Sequence, residues 1–402
     1  MGYNLSMTRE EYDIVIIGGG AAGLMFAAQY DLKGAEGAIL EGGSRVGSKL
    51  LMSGGGHCNI THGGSIKEFL YAYGDHGPAL RRCLYKHSNL GLAKWLDGHG
   101  VSLADEEGRV IDLSEGARAL ENAGRIFPAS MRSKDVLDAF LVAAKQNGWQ
   151  MRTGAKVTDL RKTTCWEVAL ADGKVINSRN VVIAAGGVTY PETGSDGSML
   201  EILKGIGVAI TETRPALAPV YVEDYPYAEL AGISVPDVTV TAYSSDASCT
   251  CKGKAARMRG DILFTHEGLS GPAVLNVSGF AEAGEKIRLS YNKELSDLPK
   301  RMQRVLTDRS RGESGDVRTT VLASLLDHDD FIVKGVDKRG MVTAGGVALD
   351  EIDIRTMELK RFGGLYVTGE AIEACGITGG YNLQLCWSTA AAAADSIAPD
   401  SI

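Results

Sequence analysis

The sequence predicts an α/β fold, and three observations carry that prediction. A short β-branched run, Tyr12 to Ile17, breaks into the cluster Gly18-Gly19-Gly20-Ala21-Ala22-Gly23 and then into an apolar, alanine-rich helix pattern. Late in the chain, apolar strands again end in small residues, in MVTAGGV and in GLYVTGEA. Between these, from about Ala216 to Leu289, strand-like segments such as DVTVTAYSS and KIRLSYN follow one another.

Taken in order, the first run is a strand suited to burial in a parallel sheet. The glycine cluster reads G-x-G-x-x-G in a strand–turn–helix setting, which is the Rossmann-like dinucleotide fingerprint. Gly18 permits the tight turn, Gly20 lets a pyrophosphate approach the backbone, and Gly23 lets the helix pack on the sheet; Ala21 and Ala22 open that helix. The helix N-terminus faces the phosphates. The next apolar run ends in Glu41, about 20 residues on, where a carboxylate accepts hydrogen bonds from an adenosine ribose. A β-hairpin-like excursion is expected between about residues 151 and 180. The run NVVIAAGG then gives a strand over Val181 to Ile183, followed by the small residues Ala184, Ala185, Gly186 and Gly187. Val342 to Gly346 and Leu365 to Thr368 are the later strand ends. The loop Thr378-Gly379-Gly380-Tyr381-Asn382 leads into an alanine-rich helix and forms a second site for an anion or a carbonyl oxygen.

At 402 residues the chain suits two or three domains. Its 51 glycines lie well above the usual roughly 7% and fall in clusters without collagen-like period, as expected where backbone packs against a ligand. The net charge of −8, with no basic run, argues against nucleic acid as a partner. No apolar stretch reaches about 18 residues and no signal-peptide pattern opens the chain. The seven scattered cysteines do not suggest a disulfide framework. The expected setting is the cytoplasm, with no membrane partner.

The stretch LLMSGGGHCNITH poses a choice between a metal site, a phosphate cradle and the wall of a flat pocket. Only His57, Cys58 and His62 sit together there, and Cys249-x-Cys251 has no partner pair, so no metal is expected. With DIVIIGGGAAGLM, SGGGHCN, GRIFPAS, VVIAAGGVTYPETGSDG, RPALAPV, ILFTHEGLSGPAVL, TAGGV and GLYVTGEAIEACGITGGYNLQLCWS in this order, the chain resembles the aminoacetone oxidase / bile-acid dehydro-reductase-like family of FAD-dependent oxidoreductases. These motifs cover nearly the whole chain.

The resemblance implies an FAD-binding domain of the fumarate-reductase-like kind, formed by residues 1–200 and 336–402. A β-barrel-like substrate domain, residues 201–335, is inserted, with a shortened helical segment at about 296–328. By the same likeness, Gly18 to Gly23 hold the pyrophosphate, Glu41 the adenosine ribose, and Val157 the adenine. Ala185 and Gly186 join them. Lys49, Ser53, Gly54, Gly55, Gly56 and Asn59 line the flavin, while Gly369, Glu370, Gly379, Gly380, Tyr381, Asn382 and Leu383 close over it. SGGG is then the wall against the flat ring. His57 stands where the family carries Arg or Lys; it is a wall residue, a proton donor or a covalent flavin link. FAD is otherwise expected to be bound non-covalently.

Four residues are candidates for chemistry. Arg125 could anchor a carboxylate or carbonyl, Tyr190 could donate a proton, His266 precedes a glycine–serine turn able to bind an oxyanion, and His57 could protonate substrate. No C-x-x-C follows the fingerprint, against a disulfide reductase. No second G-x-G-x-x-G exists, so NAD(P)H would visit the substrate pocket transiently or electrons come from elsewhere. The leading expectation is NAD(P)H-linked reduction of an activated C=C bond in a small or medium organic molecule. O₂-dependent oxidation of an amine, a non-catalytic flavin sensor and an NAD-dependent dehydrogenase are its rivals.

Overall fold

The computed structural model describes residues 10–243, 256–310 and 316–397. They form two compact units. One comprises the chain up to Thr213 together with Thr343 onward; the other is Arg214–Val342.

In the first unit, β1 (Glu10–Ile17) runs at the centre of a nine-stranded sheet. It pairs in parallel with β2 (Gly37–Leu40) on one side, Ile17 opposite Leu40, and with Val175–Ile183 on the other, Ile17 opposite Ile183. Gln150–Arg152 extends the parallel sheet beyond β2, and Leu365–Val367 extends it beyond Val175–Ile183. Ile14 to Ile17 and Val181 to Ile183 are buried, as central strands covered on both faces require. Two short antiparallel strands, Ile352–Asp353 and Glu358–Leu359, finish one edge. The expected hairpin is Val157–Lys162 with Trp166–Leu170, and the second of these pairs antiparallel with the start of Val175–Ile183.

α1 (Ala21–Gln29) packs against Ser133–Gln146 and against the C-terminal helix Tyr381–Ser396. Small residues set that second contact: a side chain at Gly369 would strike Ala22 Cβ at 2.7 Å and Cys386 Sγ at 3.2 Å. A separate small sheet joins Thr61–His62, Arg125–Pro128 and Leu103–Ala104.

The second unit is a closed antiparallel barrel. Its order is Val220–Val222, Gly268–Ser270, Ala256–Phe264, Ser234–Ala242, Lys286–Ser290 and Asp329–Val336, which returns to the first strand. Its apolar interior includes Val235, Val238, Val240, Ile262, Phe264, Ile287 and Leu289. The helical insert is Lys300–Arg309 and Asp316–Asp327. Buried Asp329 ties the first of these to the barrel. Its Oδ1 accepts from Arg309 at 2.8 Å, and its Oδ2 accepts from Tyr291 at 2.8 Å and from Tyr227.

The units divide at Thr213/Arg214 and Val342/Thr343, not at 200/201 and 335/336. The helix Ser198–Gly205 stays with the sheet because Met199, Leu200 and Leu203 complete its core, and Ile210 bridges to Val347. Cys249 and Cys251, and most of the SRGESGD turn, lie outside the described residues.

Candidate cofactor and active site

The three fingerprint glycines answer to different neighbours. Gly18 has φ +106°, and a side chain there would meet Ala184 O at 2.4 Å; one at Gly23 would meet Gly18 O at 2.1 Å. Both are demanded by the protein's own packing. Gly20 has an ordinary φ of −82°, and a side chain there would meet no atom within 4 Å. Space held against the backbone at the start of α1 fits the approach of a pyrophosphate. Glu41 is buried beside this loop at the end of β2. Its carboxylate accepts from Gly19 N–H at 2.9 Å and Gly43 N–H at 2.6 Å. Ala155 N–H donates to Glu41 O at 2.9 Å, which places buried Val157 two residues beyond that contact. On the opposite side of β1, Ala185 Cα lies 2.8 Å from where a Gly18 side chain would stand, and Gly186 has φ +76°. These groups fit a dinucleotide.

The SGGG run is a tight left-handed turn after the helix Ser48–Met52. Gly54, Gly55 and Gly56 have φ of +57°, +67° and +92°. Any L residue in that conformation costs about 1–2 kcal/mol. Side chains at Gly55 and Gly56 would meet nothing closer than 4.0 Å, so the turn presents bare backbone. Ser53 Oγ donates to Leu50 O at 2.6 Å. His57 is exposed at the end of the turn. Cys58 behind it is fully buried, and burial pushes its thiol up to about 12.

Lys49 and Glu370, 321 positions apart, meet as an ion pair, with Nζ 2.9 and 2.7 Å from the two carboxylate oxygens. Lys49 also donates to Thr189 Oγ1 at 2.8 Å. Glu370 Oε1 accepts from Thr189 Oγ1 at 2.9 Å and from the Thr343 amide and hydroxyl at 2.9 and 2.8 Å. Thr343 Oγ1 in turn accepts from Val188 N–H at 2.8 Å. Three strand-end segments and the helix Ser48–Met52 thereby meet around one cation–carboxylate pair. Tyr190 lies at its edge, its ring centroid 5.6 Å from Lys49 Nζ and its backbone left-handed at φ +59° before Pro191.

The loop Gly379–Leu383 seats on the segment that follows SGGG. A side chain at Gly380 would strike Thr61 O at 2.3 Å. The Asn59 amide donates to Thr61 O at 2.9 Å and accepts from Gly380 N–H at 3.1 Å. Thr61 Oγ1 donates to buried Gln384 at 2.7 Å. Asn382 turns back on its own loop, accepting from Gly376 N–H at 2.8 Å and donating to Gly376 O at 2.9 Å. The Tyr381 ring stacks on His62 at 5.0 Å and meets Phe69 edge-on, and burial pushes its hydroxyl up to about 12. Leu383 is half-buried in the first helical turn.

Two further candidates are Arg125 and His266. Arg125 is 53% exposed and its guanidinium is engaged by Glu106 at 2.5 and 2.7 Å. His266 is exposed in the barrel's Thr265–Gly268 turn, where Thr265 N–H donates to Gly268 O at 2.9 Å. Among the described residues no group of three or more His, Cys, Asp and Glu could hold a metal, and no helix is long and apolar enough to cross a membrane. Sequence reasoning missed Thr189, Thr343 and the ring of His62. The threonines sit in VTYP and VTAGG, directly against the small-residue strand ends that had drawn attention, and that adjacency was the available signal.

Comparison with known proteins bears on the whole chain. Residues 12–396 match the family model described as HI0933-like protein Rossmann domain. The ribosomal RNA dihydrouridine synthase of Haemophilus influenzae is 28% identical, over 95% of this chain and 98% of its own. That of Escherichia coli K12 is also 28% identical, over 98% and 100%. The 3-dehydro-bile acid delta(4,6)-reductase of Clostridium scindens is 28% identical, over 94% and 96%. Among solved structures, the 3-ketosteroid-delta4-(5alpha)-dehydrogenase of Rhodococcus jostii RHA1 superimposes with a TM-score of 0.53 at 15% identity, over 97% of this chain and 98% of that one. A flavocytochrome c3 fumarate reductase in its open conformation gives 0.50 at 14%, over 96% and 78%. These two likenesses bear on the fold alone.

Proposed function

The chain belongs to the HI0933-like family, whose members are FAD-dependent oxidoreductases, and from that premise we propose that it reduces an activated C=C bond conjugated to a carbonyl. One observation carries the proposal. Two kinds of relative, equally distant at 28% identity, have names for different substrates but the same kind of bond change: a delta(4,6)-reductase and a dihydrouridine synthase are both named for loss of a ring C=C. NAD(P)H is the reductant in this proposal, the FAD is held non-covalently, and the enzyme works in the cytoplasm.

Bound FAD would supply a two-electron hydride carrier. The chain's own residues do the rest. Gly20 and the start of α1 take the pyrophosphate, Glu41 the ribose and Val157 the adenine. Gly54 to Gly56, with no side chains, give the ring a flat backbone wall. Lys49 and Glu370 meet the cofactor as a pair held by Thr189 and Thr343, so neither charge is free to swing away. The helix Tyr381–Ser396, 16 residues long, starts at Gly380, and its positive end favours negative charge at the Gly379–Gly380 loop.

The test is anaerobic. NADPH or NADH should bleach the bound flavin, and a conjugated carbonyl compound should restore its colour. Bleaching by an amine and recolouring only in air would overturn the proposal in favour of an oxidase. Acid precipitation that leaves flavin in the pellet would overturn non-covalent binding and point to His57.

The relatives named for ribosomal RNA favour a second substrate class, uridine within RNA. The net charge of −8 with no basic run favours a small conjugated carbonyl compound. Dihydrouridine formed in transcribed ribosomal RNA by the reduced enzyme would decide for RNA.

A further inference from the structure

We propose that His62 is the acid that protonates the substrate. The role rests on the C=C reduction above and adds a residue to it.

His62 stands in the short strand Thr61–His62, six residues past Gly56 of the SGGG turn, and its position is fixed from several sides. Its ring lies parallel to that of Tyr381, centroids 5.0 Å apart and 16° between planes. A side chain at Gly379 would come within 3.3 Å of His62 Cδ2, so the ring lies directly against the loop assigned to the flavin. The neighbouring Thr61 hydroxyl donates to Gln384 of the same C-terminal helix at 2.7 Å. Across the ribbon His62 is paired with Arg125, which places both side chains on one face. Arg125 is itself held by Glu106.

The two ring nitrogens have different surroundings. Nδ1–H donates to the Gly63 carbonyl at 2.9 Å, an acceptor that cannot give a proton back. Nε2 has no hydrogen-bond partner among the described residues, yet it is not among the buried polar atoms left unpaired. It therefore reaches solvent-accessible space. A backbone carbonyl on Nδ1 fixes the tautomer and leaves Nε2 as the position where the proton comes and goes. His57, the other histidine of this stretch, is exposed and has no such anchor among the described residues.

The step balances as follows. The β-carbon of the conjugated system receives a hydride, one electron pair, from the cofactor previously reduced by a nicotinamide. The α-carbon receives H⁺ from Nε2 of the imidazolium. The C=C π bond is lost and two C–H bonds form. His62 is left neutral with its proton on Nδ1, still bound to Gly63 O, and it takes a proton from water before the next turnover.

Two readouts test this. In the first, diethyl pyrocarbonate labels the protein with and without FAD, and peptide mass spectrometry follows each histidine. His62 should react in the FAD-free protein and be shielded in the loaded one. Equal labelling in both overturns its placement at the cofactor, whatever the turnover. In the second, His62→Gln is loaded with FAD and reduced anaerobically by NADPH, then mixed with cyclohexenone, a conjugated steroid ketone or uridine. Reoxidation by the accepted compound should slow by about 10²–10⁴-fold, the usual worth of a positioned acid, and by far more than flavin reduction does. His62→Gly should regain part of the loss with added imidazole. Reoxidation of His62→Gln at the wild-type rate overturns the acid role and leaves the C=C reading standing. Failure of the reduced wild-type enzyme to pass electrons to any of the three compounds or to transcribed ribosomal RNA overturns both.

Discussion

Replacing Gly20 with alanine separates the needs of the fold from the needs of the ligand. The new methyl would meet no protein atom within 4 Å, and the backbone, at φ −82° and ψ −166°, is one that alanine adopts freely. Loss of unfolded-chain freedom favours the variant by about 0.4–1 kcal/mol. Gly20 is also the N-cap of α1, where alanine is the poorer residue by up to about 1 kcal/mol. The two terms nearly cancel, so the FAD-free protein should melt within about 3 °C of wild type. The methyl does project where a phosphate would approach the amides. Loss of one charge-assisted hydrogen bond is worth about 1.5–3 kcal/mol. At 1.4 kcal/mol per tenfold, that raises the Kd for FAD by about 10- to 150-fold. Gly23→Ala is the contrast, since its methyl would overlap Gly18 O at 2.1 Å and must push α1 off the sheet. It should lower the melting temperature of the FAD-free protein outright. Differential scanning fluorimetry gives the first quantity and quenching of flavin fluorescence the second. An FAD affinity for Gly20→Ala equal to wild type, or a melting temperature as low as that of Gly23→Ala, would refute the reasoning.

Three further outcomes are expected. Arg309→Ala leaves Asp329, with no exposed surface, without its cation and should cost about 3–5 kcal/mol in denaturant unfolding of the barrel; a loss near zero would mean the two tyrosine hydroxyls suffice. Asp337 and Asp353 are each held down to about 2, chiefly by hydrogen bonds from Arg339 and Arg355. Their folded pKa lies below the unfolded one, so their contribution is complete above about pH 4 and is lost as pH falls through about 2. The melting-temperature gap between wild type and Asp337→Asn or Asp353→Asn should therefore close between pH 4 and pH 2, and a gap that persists at pH 2 counts against the linkage. Burial pushes the Cys58, Cys83 and Cys386 thiols up to about 12, leaving about one in ten thousand ionised at pH 8. Iodoacetamide on the native protein should spare all three, and peptide mapping that finds any of them alkylated before unfolding would contradict the burial.

What could be read from sequence was whatever chemistry compresses into neighbours. Gly18, Gly20 and Gly23 sit within one turn, Glu41 ends the next strand, and the hairpin around Val157 announces itself by alternation. The barrel's alternating strands were legible for the same reason. The pairing of Lys49 with Glu370 was not, because each is an ordinary charged residue until the sheet brings their loops together. Nor was Asp329, whose three donors come from three separate segments. The side chain of Asn382 was not legible either, since its amide turns back to Gly376 within its own loop. His57 and His62 look alike in the sequence, and only packing on Tyr381 and the Gly63 carbonyl tells them apart.

The seam between the SGGG–His62 segment and the Gly379–Leu383 loop also has a consequence for how the protein is made. The sheet's Leu365–Val367 strand, the Glu370 carboxylate and the helix against α1 all come from the last stretch of chain. About 130 residues of barrel sequence are translated between Thr213 and Thr343. At about 5–20 residues per second, β1 and α1 wait seconds for partners while an entire second unit emerges. On the proposed function, flavin is then among the last things the fold can recruit, and a ribosome stalled before Tyr381 holds a chain with a complete fingerprint but without the loop proposed to close over the ring.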